Sequence, residues 1–223
     1  MPARTRLPSA CPQVLRVTQP VRQDGGVARR RLVTSDDWPE AELRAAVLAG
    51  ELVAVGPCWA SPAEPQTATL RAAAIAWSVR DPRLVAGTRT AAWIWGGLSR
   101  PPSPLEVTVP PSARVHAAPG IRIREVRLDA GDVVVLAGQP VTTPERTAVD
   151  LLRAPGRGAE SFEAADAVAV GGLLGVGAVG AADVRARLGA LGRVPMVRQA
   201  ERRLRDVERT VATPSAAAGI SPR

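Results

Sequence analysis

A chain with one Phe, no Tyr and five Trp must build most of its core from Ala, Val and Leu. It has the material to do so. Its 223 residues suit one or two domains. At 46% hydrophobic and 22% charged, the chain buries a real core and is not disordered as a whole. No lysine occurs, and all 29 basic residues are Arg. An Ala/Arg/Gly/Pro-heavy chain without Lys is what a GC-rich genome writes.

The formal charge of +8 favours an acidic partner, because a positive field draws polyanions and acidic surfaces. The excess is uneven: residues 193–223 hold seven Arg against three acids, whereas the middle of the chain is close to balanced. Cys11 and Cys58 lie far apart with no pairing context, and the N-terminus has no apolar stretch of the kind a signal peptide carries. The longest uncharged run, Ala167 to Ala182, has 16 residues. That is short of the roughly 20 mostly apolar residues a membrane helix needs. A cytoplasmic, reducing location with no membrane span is expected.

Along the chain, residues 1–25 carry Pro2, Pro8, Pro12 and Pro20 and predict a loose lead, with one short extended piece at Val14–Val17. Val27–Thr34 fits a short helix. Asp37 and Glu40 stand at capping-box spacing ahead of a helix running to Ala49 and stopped by Gly50. A ribbon turning at Gly56-Pro57 follows. Helix, turn, helix, ribbon is the plan of a winged helix-turn-helix. Beyond it the pattern predicts helices at Thr67–Val79 and Arg89–Trp95, the latter capped by Thr88. Strands are expected at Leu105–Val109, Ile121–Val126 and Val133–Leu136. Thr143-Pro144 starts a helix to Leu152, and helices at Glu160–Val170 and Ala182–Leu188 come next. Met196–Ala212 has the clearest helical period: Val197, Ala200, Leu204, Val207 and Val211 form one stripe, and Arg198, Arg202, Arg205 and Arg209 line another face. Residues 213–223 read as a tail.

Much chemistry is excluded outright. Without Lys there is no phosphate-loop lysine, no Schiff base and no lysine-containing nuclease core. The lone His116 sits beside Pro119 in an expected loop and reads as an incidental surface residue. One His and two distant Cys make no zinc site, so no metal or other cofactor is expected. Gly175 to Gly180 fits GxGxxG, but the segment before it looks helical and Glu201, at the expected acidic distance, falls inside the last helix. The dinucleotide fingerprint needs a strand there.

Two segments in order point to a family. LVAGTRTAAWIWGGL, Leu84–Leu98, resembles the "sHrSAAalhGL"-like segment of actinobacterial AbiEi-type antitoxins. GQPVTTPERTAVDLL, Gly138–Leu152, is similar to their "GlpvTtpaRTlvDLa" segment, and PLEVTVP between them has the flavour of the family's strand. The resemblance implies a winged-helix DNA-binding domain joined to an α/β domain, which together repress an operon and neutralise a nucleotidyltransferase-like toxin. Many members continue into a nuclease-like domain that this chain does not reach.

The expected fold is therefore α+β. A loose lead over 1–25 precedes a winged-helix-like domain over 26–62. A mixed α/β domain with a helical C-terminal part spans 63–212, and a tail covers 213–223. Arg29, Arg30, Arg31 and Arg44 are the candidate DNA contacts, acting through phosphates more than bases. Thr88, Arg89, Thr90, Thr143, Pro144, Arg146, Thr147 and Asp150 carry the family motifs, and they fit either a structural role or a partner contact. In the structural reading Thr143 caps, Pro144 starts the helix and Arg146 pairs with Asp150 four residues on. No residue is assigned a catalytic role. The expected partners are operator DNA and a toxin protein. The other reading is a protein-interaction module whose winged helix no longer binds DNA.

Overall fold

The computed structural model describes residues 32–111, 113–116, 118–154, 162–192 and 194–212. The expected lead, the Arg29–Arg31 cluster and the tail lie outside them. Strand β1 (Val53–Val55) and strand β2 (Cys58–Ala60) form an antiparallel ribbon after helix α1 (Glu40–Leu48). Val33 adds a bridge to Trp59. The helix expected over Val27–Thr34 is thus corrected at its described end, where Val33 and Trp59 exchange two backbone hydrogen bonds of 2.7 and 2.8 Å. The expected Asp37 cap is corrected too. Its carboxylate accepts from the Thr34 N–H and hydroxyl at 3.0 and 2.8 Å, and Pro39 precedes α1 with no side-chain cap. Gly50 follows α1 at φ +77°, the left-handed conformation that closes a helix.

A five-stranded mixed sheet comes next in space, ordered β5-β4-β3-β7-β6. Its strands are β3 (Val85–Ala86), β4 (Leu105–Val109), β5 (Ile121–Glu125), β6 (Val133–Leu136) and β7 (Gln139–Thr142). The β3–β7 and β4–β5 pairs are parallel, and β3–β4 and β6–β7 are antiparallel. Strand β7 was not expected, since Pro140 argues against an inner strand. It forms because Ala137 and Gly138, at φ +47° and +83°, make the two-residue turn whose twist matches a hairpin.

The helices are α2 (Ala68–Ser78), α3 (Thr88–Ile94), α4 (Pro144–Leu152), α5 (Ala164–Gly175), α6 (Ala181–Ala190) and α7 (Val197–Ala212). Thr67 caps α2 through a 3.2 Å bond from the Leu70 N–H. Two apolar clusters result. The first joins Val55, Cys58 and Ala60 of the ribbon to Leu70, Ala74 and Ile75 of α2, to Trp93 of α3 and to the sheet. The second packs α4 to α7 together, with Ala92 of α3 inserted. Helix α3 therefore touches both, and Trp93 is the single aromatic among the described buried hydrophobic residues. The core is otherwise Ala, Val, Leu and Ile with one Cys, as the scarcity of Phe and Tyr requires.

Small residues do specific work at the α3–α5 crossing. A Cβ on Gly172 would stand 1.9 Å from the Gly97 carbonyl oxygen. Only glycine lets these backbones meet, which explains Gly172 inside a helix despite a cost of roughly 1 kcal/mol relative to Ala, while a Cβ on Gly171 would crowd Val211 of α7 at 3.3 Å.

Candidate functional site

The family-motif residues converge on two buried polar nodes. At the first, Glu106 projects from β4 onto the start of α3. Its carboxylate accepts from the Thr88 hydroxyl at 2.6 Å, the Arg89 N–H at 3.0 Å and the Arg89 guanidinium at 2.6 and 3.0 Å. The Glu106 N–H donates to the Thr90 hydroxyl at 2.7 Å. Thr88, expected to cap its own helix, instead spends its hydroxyl on Glu106 at φ +43°. A carboxylate from a neighbouring strand takes the capping role, because negative charge is favoured at a helix N-terminus. Arg89 also reaches Glu163 at 3.1 Å and Asp166 at 3.8 Å.

Burial works to raise the Glu106 carboxyl, but the bonds from Arg89 and Thr88 outweigh it and hold the group below its ordinary value. Asp166 goes the other way: burial raises it, and Arg89 only partly opposes the shift.

The second node centres on Asp132, at the end of a single 3-10 turn (Ala130–Asp132) before β6. Arg146 donates to Asp132 at 2.5 Å, to Asp150 at 2.8 Å and to the Arg127 carbonyl at 3.0 Å. Arg187 of α6 pairs with the other Asp132 oxygen. Thr143 accepts the Arg146 N–H at 3.3 Å, and Pro144 opens α4. The Thr142 and Thr147 hydroxyls meet at 2.7 Å. Trp95 Nε1 donates to the Thr142 carbonyl at 2.8 Å and so ties α3 to β7. Burial raises the Asp150 carboxyl against the pull of Arg146.

Magnitudes separate these pairs from surface ones. Removing one partner of a buried pair costs about 3–5 kcal/mol because the other charge stays buried. An exposed i,i+4 pair such as Glu40–Arg44, at 2.7 Å, is worth about 0.3–0.5 kcal/mol. Thr90 and Thr147 have no exposed surface, so neither meets a partner in this conformation.

The DNA candidates are not assembled in this way. Arg44 is exposed and paired with Glu40, and Arg29, Arg30 and Arg31 lie outside the described residues. Helix α1 also carries Glu42, and Glu51 lies just past its end.

Glu106, Asp132, Asp166, Arg187 and Arg203 belong to the polar framework and escaped the sequence reading. Arg203 of α7 is buried. It donates to the Leu152 and Ala154 carbonyls at 2.6 and 3.0 Å and lies 4.9 Å from the centre of the Phe162 ring. One signal was readable for Glu106: a single charge inside the apolar run of β4. His116 is exposed, and the GxGxxG segment follows helix α5, not a strand. Among the described residues no helix is long and apolar enough to cross a membrane.

Sheet, hairpin and buried ion pairs define an α+β scaffold whose polar interior is committed to holding helices α3, α4 and α6 against the sheet. Residues 85–170, from β3 into α5, match the family model described as the AbiEi antitoxin C-terminal domain. The resemblance read from its two motifs is shown for this stretch. Among solved structures, the chain is similar to the crystal structure of the RV2827C protein from Mycobacterium tuberculosis, at 18% identity and a TM-score of 0.40. That likeness covers 81% of this chain and 73% of the other. No curated protein gives a significant match.

Proposed function

We propose that this chain is a cytoplasmic, non-enzymatic antitoxin-type regulator, which binds operator DNA and neutralises a cognate nucleotidyltransferase-like toxin. The observation that carries the reading is the antitoxin-domain match over 85–170, which takes in the two motif segments from Val85 on, the first polar node, and the second node except Arg187. In this reading residues 26–62 act as a winged-helix-like DNA-binding domain and 63–212 as the toxin-binding domain. Arg29, Arg30, Arg31 and Arg44 hold phosphates. The Glu40–Arg44 pair is no obstacle, since an exposed pair of this kind yields for a few tenths of a kcal/mol. The buried motif threonines set the shape of the domain, and toxin contact falls to the exposed surface around them.

The test is a gel-shift titration against the DNA upstream of the chain's own gene at two salt concentrations, paired with capture of the product of the adjacent gene. Salt-sensitive binding that prefers this DNA over a scrambled duplex, with toxin capture, supports the reading. Absence of both DNA binding and capture overturns it.

One observation favours the alternative of a protein-interaction module without DNA binding: α1 presents Glu40 and Glu42 where a DNA reader usually presents basic or amide side chains. That alternative expects Arg29, Arg30 and Arg31 to be replaceable by Ala without loss of function.

A further inference from the structure

Among the described residues, a surface suited to a polyanion lies on α7, at the other end of the described chain from α1. Val197, Ala200, Leu204 and Val207 are buried in the second apolar cluster. At 3.6 residues per turn, Arg198, Arg202, Arg205 and Arg209 fall within about 60° of arc on the opposite side. All four are exposed. The acids of α7, Glu201, Asp206 and Glu208, engage only one member of the row. Asp206 pairs with Arg209 at 2.5 Å, and Glu208 pairs with Arg185 of α6. Among the described residues no ion pair occupies Arg198, Arg202 or Arg205.

We propose that the α7 arginine row is a phosphate-backbone contact for duplex nucleic acid. Successive arginines rise about 4.5–6 Å along the helix axis, so the row spans about 16 Å. That is long enough to face several phosphates of a duplex that carries one charge per about 1.7 Å of axis. No aromatic side chain stands in the row. A protein hot spot joins arginine to buried aromatic anchors, whereas a bare cationic row is what phosphate contact requires. The row extends the DNA-binding half of the proposed function and is independent of the toxin-binding half. It also supplies a cationic surface that α1, with Glu40 and Glu42, does not.

The experiment compares the full chain with the variant R198Q/R202Q/R205Q and with a control that loses the same charge elsewhere, R100Q/R114Q/R127Q. Each is titrated with a 30-base-pair duplex of scrambled sequence over a range of salt. Each phosphate contact contributes about 0.9 to the slope of log K against log salt, so losing three makes the slope shallower by about 2.7. The expected result is that flattening in the α7 variant, a much smaller change in the control, and unchanged melting curves for both. Equal flattening in the control overturns the proposal, since net charge alone would then explain it. An unchanged slope in the α7 variant, or no duplex binding by the parent chain at low salt, overturns it as well. So does loss of toxin capture in the α7 variant with duplex binding intact, which would assign the row to a protein partner. Specific binding of the upstream DNA with an unaltered α7 slope sinks this inference and leaves the proposed function standing.

Discussion

Glu106 is a carboxylate inside an apolar strand, and its position is explained by four donors: one hydroxyl, one backbone N–H and two guanidinium nitrogens. Glu106→Gln keeps the shape and removes the charge, leaving Arg89 half-buried without its main counterion. The expected loss is about 3 kcal/mol at pH 7, measured by urea unfolding. Its pH dependence has a definite sign. The folded Glu106 value is depressed, so its contribution is full above the ordinary value near 4.5 and is lost as pH falls through the lower folded one. The gap between parent and variant should close on acidification; a gap constant from pH 7 to pH 3 would contradict this account. Asp150 and Asp166 have the opposite sign. Their raised values favour the folded state at low pH, and that advantage fades as pH rises through them.

Cys58 gives a second prediction. Burial first, and then the carboxylates of Asp36 and Asp37, push its thiol up to about 12. In a Cys11→Ser background the thiol should resist a disulfide reagent at pH 8 until urea unfolds the chain, because only the thiolate reacts. Prompt reaction in the native state would be the contrary result.

Among elements, the crossing of α3 and α5 is the least forgiving contact. Gly172→Ala puts a methyl 1.9 Å from a carbonyl oxygen that belongs to backbone and has no side-chain freedom to move. A loss of about 1–3 kcal/mol or more is expected from overpacking, against a small gain from helix propensity. Gly175→Ala, with open space around its Cβ, is the matched control and should change the melting temperature little. Equal effects from the two would remove the crossing as the reason for the glycine.

Elements governed by local chemistry were legible in the sequence. Gly50 ended α1, the apolar spacing of 67–79 marked α2, and Thr143-Pro144 opened α4, because these signals act within a few turns of the chain. The apolar alternation of β5 was legible as well, and β4 and β6 were legible as strands. Features set by distant partners were not. Thr88 looked like a cap until Glu106, 18 residues on, took its hydroxyl. Asp37 looked like a cap but turns back to Thr34. Pro140 concealed β7, and the burial of Arg203 depends on the C-terminal end of α4 and on Phe162, about 40–50 residues away. At the two nodes the sequence motifs named the arginines and threonines, whereas the carboxylates Glu106 and Asp132 come from other parts of the chain.

On the scale of the whole molecule, α3 is the shared wall of both apolar clusters, so ribbon, sheet and helical layer are coupled through it. Charge is unevenly distributed along the described chain. Acidic groups gather at α1, buried ion pairs occupy the middle, and exposed arginines line α7. A surface of that kind can hold a protein and a nucleic acid at different places. The central claim is antitoxin function, and growth on co-expression tests it most directly. The gene product encoded beside this chain is induced alone, with the chain, and with the Glu106→Gln variant. The account predicts arrested growth with the neighbour alone, recovery with the parent chain, and weaker recovery at elevated temperature with the destabilised variant. Arrest that persists when the parent chain is present as soluble folded protein would contradict it.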